Sequence, residues 1–589
     1  MLIYMIGGKM IIKEILGNDV IVSYDSKNSN YNLMNNYLLF NSSKMIVGEV
    51  IKIKENELVV NLVGEIVNNN FIFGINTKPE YNSKISIINP DYIPAIISYP
   101  NNIGSLCLGT NPTFNKEVYM NLNNFFNSHF AIIGGSGSGK SFALSSIIQT
   151  LFKEREYVPY NASLFVFDTY GEYQNSFLDL ENKNSYISFK NYTTNLDSEE
   201  NILKIPPYLL DVDDLAILLN ASSADQLQVI EKALELVNIF KGTGENLIKI
   251  KNNIIARAVL DILLSGRPSV QVRDQIFSIL AFYKTDELNL ETTIYQPGYT
   301  RALKNCLIID SDGKLREIEL LTEFFTKFLI ESNEMNIPKT NNVYTLKDLE
   351  DAIDFALISE GILKSEKIYD NNNTLKVRIH NLVEGEYKTF FEYNEFVTRK
   401  DYVNSLITKN NKKAQLINFN INYVDDRFAK TIVKIITKML FDVVKDLKPR
   451  ASMPFHIILE EAHRYVLNDS DVELLGYNIF ERIAKEGRKY GILLGLITQR
   501  PSELSETAIS QCNNFLIFKM THPKDSEYIN KLIPFMTDEI KSRLQVIRPG
   551  NCYLFGPAFK LPIMIKVNIP NPTPNSNNVD IINTWFRAK

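Results

Sequence analysis

The chain has 589 residues, 45% of them hydrophobic and 22% charged, and its 68 acidic and 63 basic residues leave a net charge of −5. A single hydrophobic core organises at most roughly 250–300 residues, so two or more domains are expected, and the composition is that of a folded globular protein. The acidic balance excludes a protein that coats nucleic acid by bulk charge; any grip on DNA must come from a local patch or a ring channel.

The N-terminal MLIYMIGGKMII is apolar but has no cationic start and breaks at Gly7-Gly8, so it reads as strand and turn, not as a signal peptide. No apolar run reaches the ~18–20 residues that span a bilayer. The cysteines Cys107, Cys306, Cys512 and Cys552 are far apart, without CxxC spacing. That speaks against a disulfide framework or a structural zinc, and for a reducing cytoplasm.

Residues 1–115 contain the short β-branched runs VIVSY, MIVGEVIKI, LVVNLVGEI and FIFGI, separated by turn residues. They predict a small β-barrel or sandwich. Residues 116–190 change pattern: FAII leads into a glycine loop, then the helical SFALSSIIQTLFKE, then the strand SLFVFD, a βαβ unit of a parallel sheet. Residues 191–412 show helical spacing, punctuated by KGTGEN, SDGK and YDNNNT, and are expected to be a largely helical insertion. The α/β pattern resumes over 413–567. A helix is expected from about Asp426 with Phe428, Ile432, Ile435, Met439, Leu440 and Val443 on its buried face. The Pro- and Asn-rich residues 568–589 read as a tail.

The strongest motif is Gly134-Gly135-Ser136-Gly137-Ser138-Gly139-Lys140-Ser141, a full GxxxxGK[ST] between an apolar strand and an apolar-periodic helix. Glycines let the backbone N–H groups curl around phosphate oxygens, and the helix that starts here adds its positive N-terminus. Lys140 then reaches the β- and γ-phosphates of ATP, and the Ser141 hydroxyl ligates Mg2+.

Hydrolysis needs carboxylates as well. FHIILEEAHRY is a buried strand ending in Glu460-Glu461. Glu460 is assigned to the Mg2+ shell and Glu461 to the attacking water, which requires the chain to turn between them, because neighbours on a strand face opposite ways. Asp168 ends the strand SLFVFD, with Glu172 four residues on; both either face the nucleotide or, for Asp168, serve as a cap. Gln499 in Thr498-Gln499-Arg500 either senses the γ-phosphate or closes a polar strand-end turn. In NIFERIAKEGRKYG, Ile479 and Ile483 form the buried stripe while Arg482, Lys485 and Lys489 face outward. Such a face is either a solvated surface or the source of an arginine finger to a neighbouring subunit, with Arg488 the first candidate and Arg482 the second.

Taken together, GGSGSGKS, FDTYGEY, IILEEAHRY, IAKEGRKYG, LITQRPSEL and RPGNCYLFG resemble, in this order, the HerA-type ATPases of the HerA/FtsK branch of P-loop motors. The similarity covers about 120–185 and 415–560; the β-rich start resembles that family's N-terminal barrel more weakly. The resemblance implies an α/β fold with a RecA-like core, a homo-hexameric ring, and ATP-driven movement along double-stranded DNA. It also implies ATP sites shared between neighbours, the Arg482–Lys489 segment supplying the arginine in trans. Glu460 stands where many P-loop motors carry Asp, as is familiar among HerA-like proteins. Such motors work with a separate nuclease of the NurA type, and bacterial relatives pair with sirtuin-like NADases or other nucleases in anti-phage defence. A rival reading is an ATP-binding ring that assembles and activates an effector with little DNA movement. A third, an FtsK-like pump, is disfavoured by the lack of a membrane segment.

Overall fold

The computed structural model describes residues 3–4, 10–24, 33–68, 70–153, 158–198, 201–330, 342–358, 366–467, 471–533, 536–576 and 581–586. The chain forms two compact units: Met1–Asn195 with Val403–Asn468 and Asn478–Lys589, and Leu196–Tyr402 with Asp469–Tyr477.

The first unit opens with strands β1 (Ile3–Tyr4), β2 (Ile11–Leu16), β3 (Asp19–Ser23), β4 (Tyr37–Asn41), β5 (Met45–Lys54), β6 (Glu57–Val67), β7 (Asn70–Phe73) and β8 (Lys84–Ile88). The β-branched runs alternate inward and outward, as in β6, so one face closes on a core of Val20, Val22, Leu38, Phe40, Val50 and Val60. The sheet is antiparallel, ordered β1-β8-β4-β5-β6-β3-β2 with β7 on β6. It is a curled half-barrel. The break read at Gly7-Gly8 lies outside the described residues.

β9 (Ser105–Asn111) and β10 (Lys116–Asn121) form a hairpin, and β9 pairs with a C-terminal strand of the ATPase sheet. Although β9 precedes residue 115, it therefore belongs to the core sheet and not to the half-barrel. Then come β11 (His129–Ile133), β12 (Leu164–Asp168) and β13 (Phe189–Thr193).

The second unit is mainly helical, with helices such as Ala224–Lys241, Glu245–Leu263 and Glu366–Glu384 and one hairpin, β14 (Thr293–Gln296) and β15 (Tyr299–Ala302). YDNNNT, read as a loop from its asparagines, lies inside the helix Glu366–Glu384. Weak helix propensity is overridden there by the burial of Leu375 and Ile379 further along the helix. Within this unit the Tyr477 hydroxyl donates to Asp213 Oδ2 at 2.7 Å, tying the short Asp469–Tyr477 segment to the helices.

The chain re-enters the first unit through a small hairpin, β16 (Thr408–Lys409) and β17 (Lys412–Lys413), followed by β18 (Leu416–Asn420), β19 (Phe455–Leu459), β20 (Ile492–Thr498), β21 (Cys512–Ile517), β22 (Asn551–Phe555) and β23 (Ile563–Val567). The eleven-stranded sheet runs β10-β9-β23-β22-β21-β11-β20-β19-β12-β18-β13. Strands β11, β12, β18, β19 and β20 are buried along their whole length. This is why they read as continuous apolar runs: a parallel sheet is covered on both faces. The helix Asp426–Lys445 covers part of it, capped by the Asp425 carboxylate. Phe428, Ile432, Ile435, Met439 and Leu440 are buried as expected, but Val444 replaces Val443 at the end of the stripe. One strand, β20, separates the glycine-loop strand β11 from the acidic strand β19, and this order is RecA-like. The fold is therefore α/β, with a RecA-like P-loop core, an N-terminal half-barrel and a mainly helical insertion. Among the described residues no helix is long and apolar enough to cross a membrane.

Two histidines sit inside this sheet. His129 Nδ1 accepts from the Leu494 N–H at 2.8 Å, and His456 Nε2 donates to the Phe126 carbonyl at 2.7 Å. Burial pushes both imidazoles down to about 4. Their ordinary value is about 6.5, so the folded state binds fewer protons than the unfolded one between these values. The stability they contribute is complete above about pH 6.5 and is lost as pH falls towards 4. NMR of histidine-labelled protein should show neither ring titrating between pH 7 and 5.5.

Candidate ATP-binding and hydrolysis site

The loop 134–139 connects β11 to the helix Lys140–Phe152. Gly139 has φ +114°, and a Cβ there would stand 3.2 Å from the Gly550 backbone. A Cβ on Gly134 would lie 2.5 Å from Phe518 Cβ. Only glycine fits either position. Lys140 is buried and its Nζ donates to the carbonyls of Gly134 at 2.9 Å and Gly135 at 3.0 Å. Burial lowers its pKa, while Glu461, Glu460 and Glu172 pull it back up.

The loop opens on a cavity of about 670 Å3. Ser136, Gly137, Ser138, Gly139, Lys140 and Ser141 line one side; Glu172, Glu460, Glu461 and Gln499 line another. Strand ends bring these carboxylates together: β12, β19 and β20 all terminate here, as parallel strands do around a ligand crevice.

The chain turns between Glu460 and Glu461. Glu460 is buried; its Oε1 accepts from the Tyr173 hydroxyl at 3.0 Å and its Oε2 from the Thr169 N–H at 3.1 Å. Burial, and then the neighbouring Asp168, raise its pKa well above the ordinary range. Glu461 adopts a left-handed conformation, φ 46° and ψ 48°, which swings its side chain away from the strand's alternation. Non-glycine residues pay for this geometry, and such strain gathers at functional sites. Its Oε1 accepts from Gln499 Nε2 at 2.9 Å, and its Oε2 has no hydrogen bond. The His463 ring lies 3.3 Å from that oxygen, and burial lowers the imidazole pKa. Burial also raises the Glu461 carboxyl, against the pull of Lys140.

Asp168 does not line the cavity. It is fully buried, and its two oxygens accept from the backbone N–H groups of Glu172 at 2.9 Å and Tyr173 at 3.0 Å. Of its two readings, the capping one matches: Asp168 shapes the loop that delivers Glu172 and Tyr173. Glu172 does line the cavity; burial raises its carboxyl against the nearby Ser141 hydroxyl, and its Oε2 is buried without a hydrogen bond.

Arg482 and Arg488 are not brought to this cavity. Arg482 Nε bonds Glu486 at 2.6 Å and its guanidinium lies over Phe441. Arg488 follows a π-helical turn, Ile483–Gly487, at the opposite end of β20 from Gln499. Lys485 and Lys489 are exposed and Arg482 is half-buried.

Sequence reading missed the tail's part in the site. Asn568, Ile569, Asn575 and Ser576 line the cavity. Gln149 clamps the segment, its Nε2 donating to the Pro572 carbonyl at 2.8 Å and its Oε1 accepting from the Asn571 N–H at 2.8 Å, while the Asn575 N–H donates to the Glu172 carbonyl at 2.9 Å. Nothing in a Pro- and Asn-rich stretch signals such packing. Thr169 and Tyr173 were also passed over as the groups that hold Glu460.

A glycine loop on β11, a lysine across it and two separated carboxylates at the end of β19, one strand removed, define a RecA-like P-loop ATPase. The particular family follows from comparison. A sequence model described as the central domain of the helicase HerA matches residues 102–440, and the chain belongs to the HerA helicase family. It is 24% identical over 554 residues to the "DNA double-strand break repair helicase HerA" of Pyrococcus furiosus, covering 92% of this chain and 83% of that one. It is 22% identical over 510 residues to the "Probable DNA double-strand break repair helicase HerA" of Methanocaldococcus jannaschii, covering 86% and 84%. Among solved structures, VirB4 of Thermoanaerobacter pseudethanolicus aligns with a TM-score of 0.46 at 13% identity, covering 80% of this chain and 98% of that one.

Proposed function

We propose that the protein is an ATP-driven double-stranded DNA translocase that works as a homo-hexameric ring. The observation that carries the hydrolytic part is the convergence on one cavity of three buried oxygens without hydrogen bonds: Ser138 Oγ, Glu172 Oε2 and Glu461 Oε2. Buried polar atoms are rarely left unmatched, and a triphosphate with its Mg2+ and attacking water would match all three. Ser141, Glu460 and Glu172 supply the hard oxygen donors that Mg2+ prefers; Ser141 and Glu460 are its proposed holders. When bound with ATP, the ion neutralises charge on the phosphate oxygens.

Gly134 to Gly139 cradle the phosphates through backbone N–H groups, and Lys140 moves from its loop carbonyls to the β- and γ-phosphates. Glu461 accepts a proton from water as the water oxygen bonds to the γ-phosphorus and the bond to the β-phosphate oxygen breaks, leaving ADP and phosphate. Gln499 keeps Glu461 aimed and reads the γ-phosphate. Arg488 or Arg482 of a neighbouring copy completes the site; their distance from their own cavity suits a role in trans. The motor serves a separate effector, a NurA-like nuclease or a sirtuin-like NADase, in DNA end processing or anti-phage defence.

The net charge of −5 favours a second reading, a ring that gathers and activates its effector with little DNA movement. Duplex binding across a salt series separates the two. A translocase gripping phosphates should lose about 10³–10⁵-fold in affinity between 50 and 200 mM salt, as about six to ten phosphate contacts require; weak, salt-insensitive binding supports the scaffold.

A further inference from the structure

At the end of the core sheet opposite the ATP cavity, three loops meet around Gln415. Its Nε2 donates to the Tyr160 carbonyl at 2.9 Å, and its Oε1 accepts from the Ser188 N–H at 2.8 Å. The β16–β17 hairpin leads into it, turning on Asn410 and Asn411 at φ 50° and 60°, the positive values a tight two-residue hairpin needs. This hairpin carries Lys409, Lys412 and Lys413, and Lys190 reaches its base, donating to the Ser405 carbonyl at 2.7 Å and the Thr408 carbonyl at 3.0 Å. Lys413 donates to the Asn161 carbonyl at 2.8 Å.

The cations here are largely uncompensated. Lys190 and Lys413 bond carbonyls, Lys412 is exposed, and Lys409 bonds Glu181 at 2.7 Å. Burial lowers the pKa of both Lys190 and Lys413, and Lys409 adds to the effect on Lys190. Packing like charges together on an acidic chain costs free energy, which an anionic partner recovers. Tyr160 and Tyr186, on the flanking loops, are 66% and 69% exposed. Solvated aromatic planes beside lysines suit unpaired bases, whose faces stack while phosphates meet the cations.

We propose that this surface binds a single strand of DNA, Lys412, Lys413 and Lys190 taking phosphates and Tyr160 and Tyr186 stacking on bases. The assignment rests on the DNA-motor reading and adds to it a contact for unpaired strand. β12 runs from this surface to the ATP cavity, a separation of about 13–17 Å at ~3.3 Å per residue, so basal ATP hydrolysis should not change in variants here.

The test is fluorescence anisotropy of the full-length protein with a labelled 30-mer oligothymidylate and a 30-base-pair duplex, in 50–200 mM salt. Lys412→Glu with Lys413→Gln should weaken strand binding at least ~10-fold and flatten the log–log salt slope by about 1.4, two phosphates' worth. Lys412→Glu alone, at an exposed position, should show about half that change in slope and guards against misfolding. Tyr160→Ala with Tyr186→Ala, which removes two stacked bases, should weaken strand binding at least about 30-fold with the slope and the duplex affinity unchanged. Variants that bind the strand like wild type would overturn the proposal. Wild type that binds duplex but not strand overturns it while leaving the motor reading intact; wild type that binds neither overturns both.

Discussion

Glu461→Gln should bind ATP as tightly as wild type and hydrolyse it about 10²–10⁴-fold more slowly, the usual worth of a positioned general base. Glutamine preserves the shape of the side chain and can still accept from Gln499, so the 2.9 Å contact survives. What it removes is the ability of the free Oε2 to take a proton. Burial already raises the Glu461 carboxyl, bringing its basicity closer to that of a base working near neutral pH. The adjacent Glu460 does not take over, because Tyr173 and Thr169 fix its oxygens for its proposed part in holding Mg2+. Binding of a fluorescent ATP analogue together with phosphate release checks the split. An unchanged rate would transfer the base role to Glu172, the other cavity carboxylate with an unmatched oxygen.

Lys140→Ala should fail differently, losing nucleotide affinity as well as turnover. Hydrogen bonds to charged groups are worth about 1.5–3 kcal/mol, which is about 10–150-fold in affinity. Lys140 is the cation buried inside the glycine loop, donating to its carbonyls, and burial lowers its pKa. Replacing it leaves Glu461, Glu460 and Glu172 facing the phosphates without that positive charge. Isothermal titration should therefore show weak ATP binding by Lys140→Ala beside normal binding by Glu461→Gln. Equal binding by both variants would mean that the backbone cradle alone holds the nucleotide.

Much of this was legible in the sequence because local pattern and global role agree. The glycine loop announces itself, since positive φ at Gly139 and the close approach of Phe518 to Gly134 leave no alternative residue. The double glutamate was interpretable because a buried strand must end where its charges begin, and the left-handed Glu461 is the turn that separates their roles. The unread parts depend on tertiary partners. Asp168 turns inward to bind two N–H groups of its own loop, and a strand-end aspartate looks the same in either role. The tail lines the cavity because Gln149 and the Glu172 carbonyl, each about 400 residues earlier in sequence, hold its backbone. YDNNNT is helical because its helix buries Leu375 and Ile379. β9 joins the core sheet through β23, a pairing that no local run of residues records.

ATP hydrolysis by the purified protein, with and without long double-stranded DNA, tests the motor reading most directly. Measurable Mg2+-dependent turnover that long duplex stimulates strongly is expected, with both activities absent in Lys140→Ala. No hydrolysis in the presence of Mg2+ and DNA would contradict that reading.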